Sequence, residues 1–147
     1  ALTRLMSGKT DVIQMLNGAI GGLVAITAEP LMPSPLAAIL IGAIGGIIVV
    51  FGTKLLFSLK IDDVVGAVPA HLFAGIWGTL AVPLTNGDAS FGAQLLGVIS
   101  INAFVFVVSL IVWGIMKGTM GIRLSKEAER LGTDVTESGV IAYAIRD

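Results

Sequence analysis

The stretch that decides the fold is residues 62–84, which read DDVVGAVPAHLFAGIWGTLAVPL. After its two aspartates it carries no Asp, Glu, Lys or Arg over roughly the 20 residues that a helix needs to cross a bilayer. It contains the only histidine of the 147-residue chain, His71. It also contains Pro69, which lacks an N–H and leaves the carbonyl of Val65 without its helical partner. We therefore expect a kinked membrane-spanning helix with one ionisable side chain.

Three further segments are apolar, and the chain as a whole has 55% hydrophobic but only 13% charged residues. A soluble domain of this size carries about a quarter charged residues, so a bilayer is the expected solvent. We predict an all-α polytopic transmembrane bundle over residues 1–116 and a cytoplasmic tail over 117–147. The four predicted spans are residues 12–28, 34–53, 64–84 and 89–116.

The basic residues predict the orientation of these spans. Four crossings place the start of this chain, the loop after the second span and the tail on one side. Every Lys and Arg falls on that side, which the positive-inside rule makes cytoplasmic, as in a multi-pass protein of the plasma (inner) membrane. These residues are Arg4, Lys9, Lys54, Lys60, Lys117, Arg123, Lys126, Arg130 and Arg146. The opposite side holds only Glu29 and Asp88.

Small residues recur every four positions in three of the spans. Such stripes let helix backbones approach closely in a membrane, either for packing alone or to surround a pore. They are Gly18 and Gly22, Gly42 and Gly46, and Ala70, Ala74 and Gly78. Tryptophans in spans are often interfacial anchors, which is the role expected here of Trp77 and Trp113.

His71 is the candidate functional residue. Ionisable groups inside a membrane are costly and usually face a cavity or a partner, although a purely structural histidine is the alternative. Apolar surroundings disfavour the charged ring, so we expect a neutral imidazole. A neutral imidazole has one donor and one acceptor nitrogen and can bond to a small polar solute.

Asp62 and Asp63 precede this span, and their ordinary interpretation is helix capping at the positive end of the dipole. The functional alternative is that they attract cations to the inner mouth of a pore. Asp63 and His71 are separated by eight residues, about 12 Å along a helix, so they cannot form a catalytic pair.

Several function classes lack their sequence signature. The chain has no cysteine, no second histidine, no phosphate-binding loop and no HExxH pattern. With a net charge of −1 it has no overall basic field for nucleic acid. We therefore expect no enzyme activity, no metal, no cofactor and no nucleic-acid partner.

The tail is predicted to contain a short helix. Ser125 suits an N-cap, with Glu127 and Glu129 in the first turn, and Gly132 suits the end of the helix.

Three motifs together resemble the ammonium transporter (Amt/Rh) family. Residues 62–78 are similar to its D-D…H-x-x-x-G-x-x-G helix. Residues 15–28, MLNGAIGGLVAITA, are similar to an earlier helix, and residues 121–134, GIRLSKEAERLGTD, are similar to its tail motif. Gly139, Ala142 and Tyr143 match the continuation, while Glu137 stands near a position where the family usually has histidine. The likeness covers essentially the whole chain in the right order.

The resemblance implies a fold of about eleven spans in two inverted halves, assembled as a homotrimer among membrane lipids, with one ammonium or ammonia pore per subunit. It implies that His71 is the second-half member of two stacked pore histidines, and that Asp63 is structural. It implies a tail that couples subunits or receives a cytoplasmic regulatory protein, with Arg123, Glu127, Glu129 and Asp134 in its motif.

The family's first half has no counterpart here, so we expect a fragment rather than one part of a split protein. A non-conducting ammonium sensor and a membrane assembly module are the alternative functions.

Overall fold

The computed structural model of the chain describes residues 2–31 and 34–142, and every regular element in these ranges is helical. The all-α prediction is therefore confirmed. The elements are α1 (Leu2–Ser7), α2 (Val12–Thr27), α3 (Pro35–Ser58), a π-helical turn (Val68–Phe73), α4 (Ala74–Ala81), a 3-10 turn (Val82–Leu84), α5 (Phe91–Thr119), α6 (Lys126–Leu131) and α7 (Thr133–Ser138). The described residues up to Asn102 form one compact unit, and those from Ala103 onward form a second.

Helices α2 and α3 contact each other through glycines on both helices. A Cβ added at Gly22 would lie 3.0 Å from the carbonyl oxygen of Gly42. One added at Gly45 would lie 2.7 Å from the carbonyl oxygen of Gly21. Because the opposing atoms belong to the backbone, no side-chain rotation can make room for a larger residue. The small-residue stripes therefore serve close helix packing, as their spacing predicts.

Helix α4 packs against both of these helices. A Cβ at Gly78 would overlap the carbonyl oxygen of Ala25. The indole Nε1 of Trp77 donates a 3.0 Å hydrogen bond to the carbonyl oxygen of Ile41 in α3, and the ring packs against a buried cluster of Ala25, Ile41 and Ala81. The N–H of Trp77 therefore joins two helices, and its expected interfacial position stays a prediction.

The segment that carries His71 is irregular at its start. Residues 64–65 form a turn, and the following Gly66 has a φ of +71° in the left-handed region that favours glycine. Helical structure begins only after that turn, and its first stretch is the π-helical turn that contains Pro69. Pro69 has no N–H to donate to the carbonyl of Val65. That carbonyl accepts a 2.7 Å hydrogen bond from Nδ2 of Asn17 in α2. In place of a kink within a continuous helix, Pro69 lies in an irregular helix start, which a hydrogen bond from α2 stabilises.

The long helices differ in their bounds from the predicted spans. Helix α3 continues to Ser58 and places Lys54 inside the helix. It ends in a turn in which Lys60 has a φ of 57° and Ile61 N bonds to Leu56 O at 3.0 Å. Two helices, α3 and α5, are long and apolar enough to cross a membrane, and α2 and residues 68–84 form shorter apolar helices.

Helix α5 has 29 residues, and none of them is buried. Its apolar side chains are largely uncovered; Phe104 is 69% exposed and Trp113 is 56% exposed. The helix contains glycines that make no close contact, since a Cβ at Gly97, Gly114 or Gly118 would meet nothing within 4 Å.

In the tail, the hydroxyl of Ser125 accepts a 3.1 Å hydrogen bond from the backbone N–H of Ala128, which confirms the predicted N-cap of α6. Gly132 follows the last residue of this helix with a φ of +99°, so the predicted helix end is also confirmed.

Candidate functional site

His71 lies in the π-helical turn, and its side chain is exposed within this chain. Extra residues in a helical turn change which side chains share a face, and π-helical turns are frequent at functional sites. The imidazole faces a groove of about 300 Å3 inside the first unit. The groove is lined by His71, Leu72, Gly75, Ile76 and Thr79 from the histidine segment, which we define as residues 63–86, and by Gln94, Gly97, Val98, Ile101 and Asn102 from α5.

Asp63 stabilises the start of the histidine segment. Its carboxylate oxygens accept hydrogen bonds of 2.9 Å from the backbone N–H groups of Ala67 and Val68, one from each oxygen. These N–H groups lie at the start of the helix and have no partner within it, so Asp63 acts as a cap. Asp62 is exposed beside it. Of the two predicted aspartates, only Asp63 contacts the histidine segment directly.

Both aspartates also line a second cavity, of about 580 Å3, between the end of α3 and the start of the histidine segment. Its other lining residues are Thr53, Leu56, Phe57, Lys60, Ile61 and Val64. The cavity carries a lysine as well as two aspartates, so it is not a simple cation site. Among the described residues, no group of three or more His, Cys, Asp or Glu side chains is positioned to hold a metal ion.

At the other end of the histidine segment, Glu29 is buried, with 9% of the residue exposed. It accepts a hydrogen bond of 3.2 Å from the Thr85 hydroxyl and one of 3.1 Å from Nδ2 of Asn86. Glu29 follows α2, and its two donors follow the 3-10 turn, so the carboxylate joins the ends of two apolar segments. Sequence reasoning assigned Glu29 only to a side of the membrane. The available signal was a lone acid directly after a span, opposite the polar Thr-Asn-Gly turn at residues 85–87.

The predicted tail residues lie in the second unit, where Arg123 and Glu129 bond to each other. The guanidinium of Arg123 forms a two-pronged ion pair with Glu129, at 2.7 Å from Nε to Oε1 and 3.1 Å from Nη2 to Oε2. This hydrogen bond raises the pKa of Arg123 and lowers the pKa of Glu129. Glu127 lies in the first turn of α6.

Asp134 organises the end of the described tail. Its Oδ2 accepts a 2.9 Å hydrogen bond from the backbone N–H of Ala142, which lowers the pKa of the carboxyl. Its carbonyl oxygen accepts from Val140 N at 3.0 Å. Tyr143 and Arg146, which entered the sequence predictions, lie outside the described residues.

Comparison with known proteins agrees with the motifs on this fold. The sequence model of the Ammonium Transporter Family matches residues 1–143. The chain is 37% identical over 164 residues to a protein named ammonium transporter Amt2 from Archaeoglobus fulgidus, covering 97% of this chain and 35% of that protein. It is 33% identical over 158 residues to an ammonium transporter of Bacillus subtilis, covering 95% of this chain and 38% of that protein.

The chain belongs to the ammonium transporter family. It spans roughly a third of the length of these curated relatives, 35% of the first and 38% of the second.

Proposed function

We propose that this chain contributes the second-half wall of a pore that transports ammonium across a membrane, with the substrate passing His71 as ammonia. The observation that carries the proposal is the position of His71. Its imidazole sits in a groove whose other lining groups are apolar or neutral, on an apolar segment of a family named for ammonium transport.

The lining of the groove favours a neutral solute over a charged one. Transferring a bare monovalent cation into an apolar environment costs tens of kcal/mol by Born solvation, and no carboxylate lines the groove to offset that cost. Ammonia carries no charge, and it can donate to and accept from the two nitrogens of a neutral imidazole. Deprotonation before entry therefore removes most of the barrier.

The other predicted roles follow from the same proposal. Asp63 holds the start of the histidine segment, and Asp62 lies beside it at the cytoplasmic mouth. The motif residues Arg123, Glu127, Glu129 and Asp134 shape a cytoplasmic tail that contacts a neighbouring subunit of a homotrimer or a regulatory protein. The chain spans the plasma (inner) membrane four times with both of its ends cytoplasmic, and it needs neither a cofactor nor catalysis.

The test is uptake of methylammonium by the full-length protein that contains this chain. We expect His71→Ala to change uptake by tenfold or more, an effect on the barrier of about 1.4 kcal/mol. The control is Thr27→Val at the end of α2, because the Thr27 hydroxyl bonds only to its own helix, at 2.7 Å from Val24 O. Uptake that stays normal in His71→Ala, at an equal amount of protein in the membrane, would contradict the proposal.

A further inference from the structure

We infer that Glu29 is a positioning residue for His71, because the hydrogen bonds that it accepts from Thr85 and Asn86 fix the register of the histidine segment along α2. These three residues, Glu29, Thr85 and Asn86, are named here the Glu29 cluster. The inference rests on the proposed transport function, since the register affects transport only if the substrate passes His71.

The histidine segment lies along α2 and runs parallel to it. Nδ2 of Asn17 in α2 donates to the carbonyl oxygen of Val65 near the start of the segment, at 2.7 Å. Glu29, which follows α2, accepts from Thr85 at 3.2 Å and from Asn86 at 3.1 Å near the end of the segment. The position of the segment along α2 therefore depends on bonds at both ends and on the packing between them.

The packing between these ends involves small residues. A Cβ built at Gly21 would lie 3.5 Å from the Cβ of Ala74, and one built at Gly78 would overlap the carbonyl oxygen of Ala25. The two positions on each helix are one turn apart, so a shift of the segment by one turn places small residues against small residues again. The small-residue contacts alone therefore leave the register ambiguous. A one-turn shift, which is a known movement between packed helices, would displace His71 by about 5.4 Å.

Hydrogen bonds at the two ends distinguish one register from the next. The segment is irregular near both ends, with the π-helical turn Val68–Phe73 and the 3-10 turn Val82–Leu84. Near its start, the bond from Asn17 is a single hydrogen bond between uncharged groups. Near its end, Glu29 is buried and each of its two carboxylate oxygens accepts from a different donor. Hydrogen bonds to a carboxylate are roughly twice as strong as those between neutral groups, so the Glu29 cluster is the stronger attachment to α2.

Uptake of methylammonium by the full-length protein separates a geometric role of Glu29 from a role of its charge. Glu29→Gln keeps an acceptor for Asn86 and offers a donor to the Thr85 oxygen, whose hydroxyl can donate to Val82 O at 3.3 Å. Glu29→Leu removes both bonds. At equal amounts of protein in the membrane, we expect Glu29→Leu to lower uptake several-fold and Glu29→Gln to keep most of it. Asp88→Leu is the matched control, because it removes a nearby exposed carboxylate outside the cluster and should leave uptake unchanged.

Disulfide formation measures the register directly, once any cysteines elsewhere in the full-length protein are removed. A Cβ built at Gly75 would lie 3.7 Å from Cγ1 of Val24, so Val24→Cys with Gly75→Cys suits a disulfide. Ile20→Cys with Gly75→Cys, one turn away on α2, is the matched pair. We expect Glu29→Leu to lower the yield of the first pair relative to the second, and Glu29→Gln to leave this ratio unchanged. Thr85→Val removes one bond of the cluster and should change the ratio in the same direction by less, which provides the test if Glu29→Leu does not fold.

The two measurements fail in different ways. A ratio that is unchanged in Glu29→Leu and in Thr85→Val would overturn the inference and leave the proposed function intact. A changed ratio with normal uptake would overturn the positioning role, and so would an equal loss of uptake in Glu29→Gln and Glu29→Leu, because the charge would then be what matters. Normal uptake in His71→Ala would instead remove the proposed function itself.

Discussion

The histidine segment (residues 63–86) and helix α5 have similar apolar composition but opposite environments within this chain. The histidine segment places Ala74, Gly78 and Ala81 in buried positions. It is bonded to Asn17 of α2 near its start and to Glu29, which follows α2, near its end. Helix α5 has no buried residue along its whole length. Hydrophobicity alone therefore does not decide which helices pack together. Packing follows the small residues and the few polar side chains that join one helix to the next.

Glycines show the same contrast at single positions. A methyl group at Gly78 would overlap a backbone oxygen of α2, whereas one at Gly114 would enter open space. A small residue in an apolar helix therefore marks a contact only where another backbone lies against it.

Substitution of Gly78 and of Gly114 tests this contrast with the largest expected effect. We expect Gly78→Ala to destabilise the full-length protein by about 1–3 kcal/mol, because the backbones of α2 and α4 must separate. Gly114→Ala should leave stability unchanged or raise it, since alanine favours a helix by up to about 1 kcal/mol over glycine. Thermal unfolding of the detergent-solubilised protein measures both. An equal loss in Gly114→Ala would reveal that α5 packs closely against a part of the protein outside this chain.

Asp63 and Asp62 test whether the bonded start of the histidine segment matters. Asp63→Ala removes the acceptor of two backbone N–H groups and should cost about 0.5–2 kcal/mol, the usual range for a lost cap. Asp62→Ala should have little effect, since Asp62 is exposed and caps nothing in the described structure. Equal stability losses in the two variants would show that local charge, rather than the cap, stabilises the segment.

Asn17 tests the bond between α2 and the histidine segment. Asn17→Leu removes the donor to Val65 O and leaves that carbonyl without a partner. Hydrogen bonds between membrane helices contribute about 0.6 kcal/mol on average, so we expect a loss of that order. Hydrogen exchange at residues 65–70 should rise more than exchange in α3. A uniform rise over both segments would argue against a local role.

The smallest effect concerns the tail. The pKa values of Glu129 and Asp134 are lowered by their hydrogen bonds, so both carboxyls stabilise the folded tail in their ionised form. That stabilisation is complete above the ordinary values of 4.5 and 3.8 and is lost as the pH falls through the lowered values. Nuclear magnetic resonance of the tail should therefore show loss of order only in acid.

The variant Glu129→Gln should weaken the fold of the tail at neutral pH, while Glu127→Gln serves as the matched control. Order that is independent of pH down to strongly acidic conditions would exclude this role for both carboxylates.

The sequence by itself determined what can be read from local chemistry. Charge-free stretches indicated the apolar helices, Pro69 indicated an irregular helix, and Ser125 and Gly132 indicated the ends of α6. Each of these features depends on neighbours within a few residues, because hydropathy, capping and proline geometry act over one or two turns. The three motifs were long enough to indicate the family as well.

Only the tertiary structure decided which distant groups meet. The bonds from Asn17 to Val65 and from Asn86 to Glu29 join residues separated by 48 and 57 positions. The indole of Trp77 donates to a carbonyl in α3, a contact that the sequence did not indicate. The groove around His71 is formed by side chains of two helical segments, so it depends on which face each segment turns toward the other. The π-helical turn changes which side chains share a face. No local pattern encodes such contacts, because they depend on the positions of whole helices relative to one another.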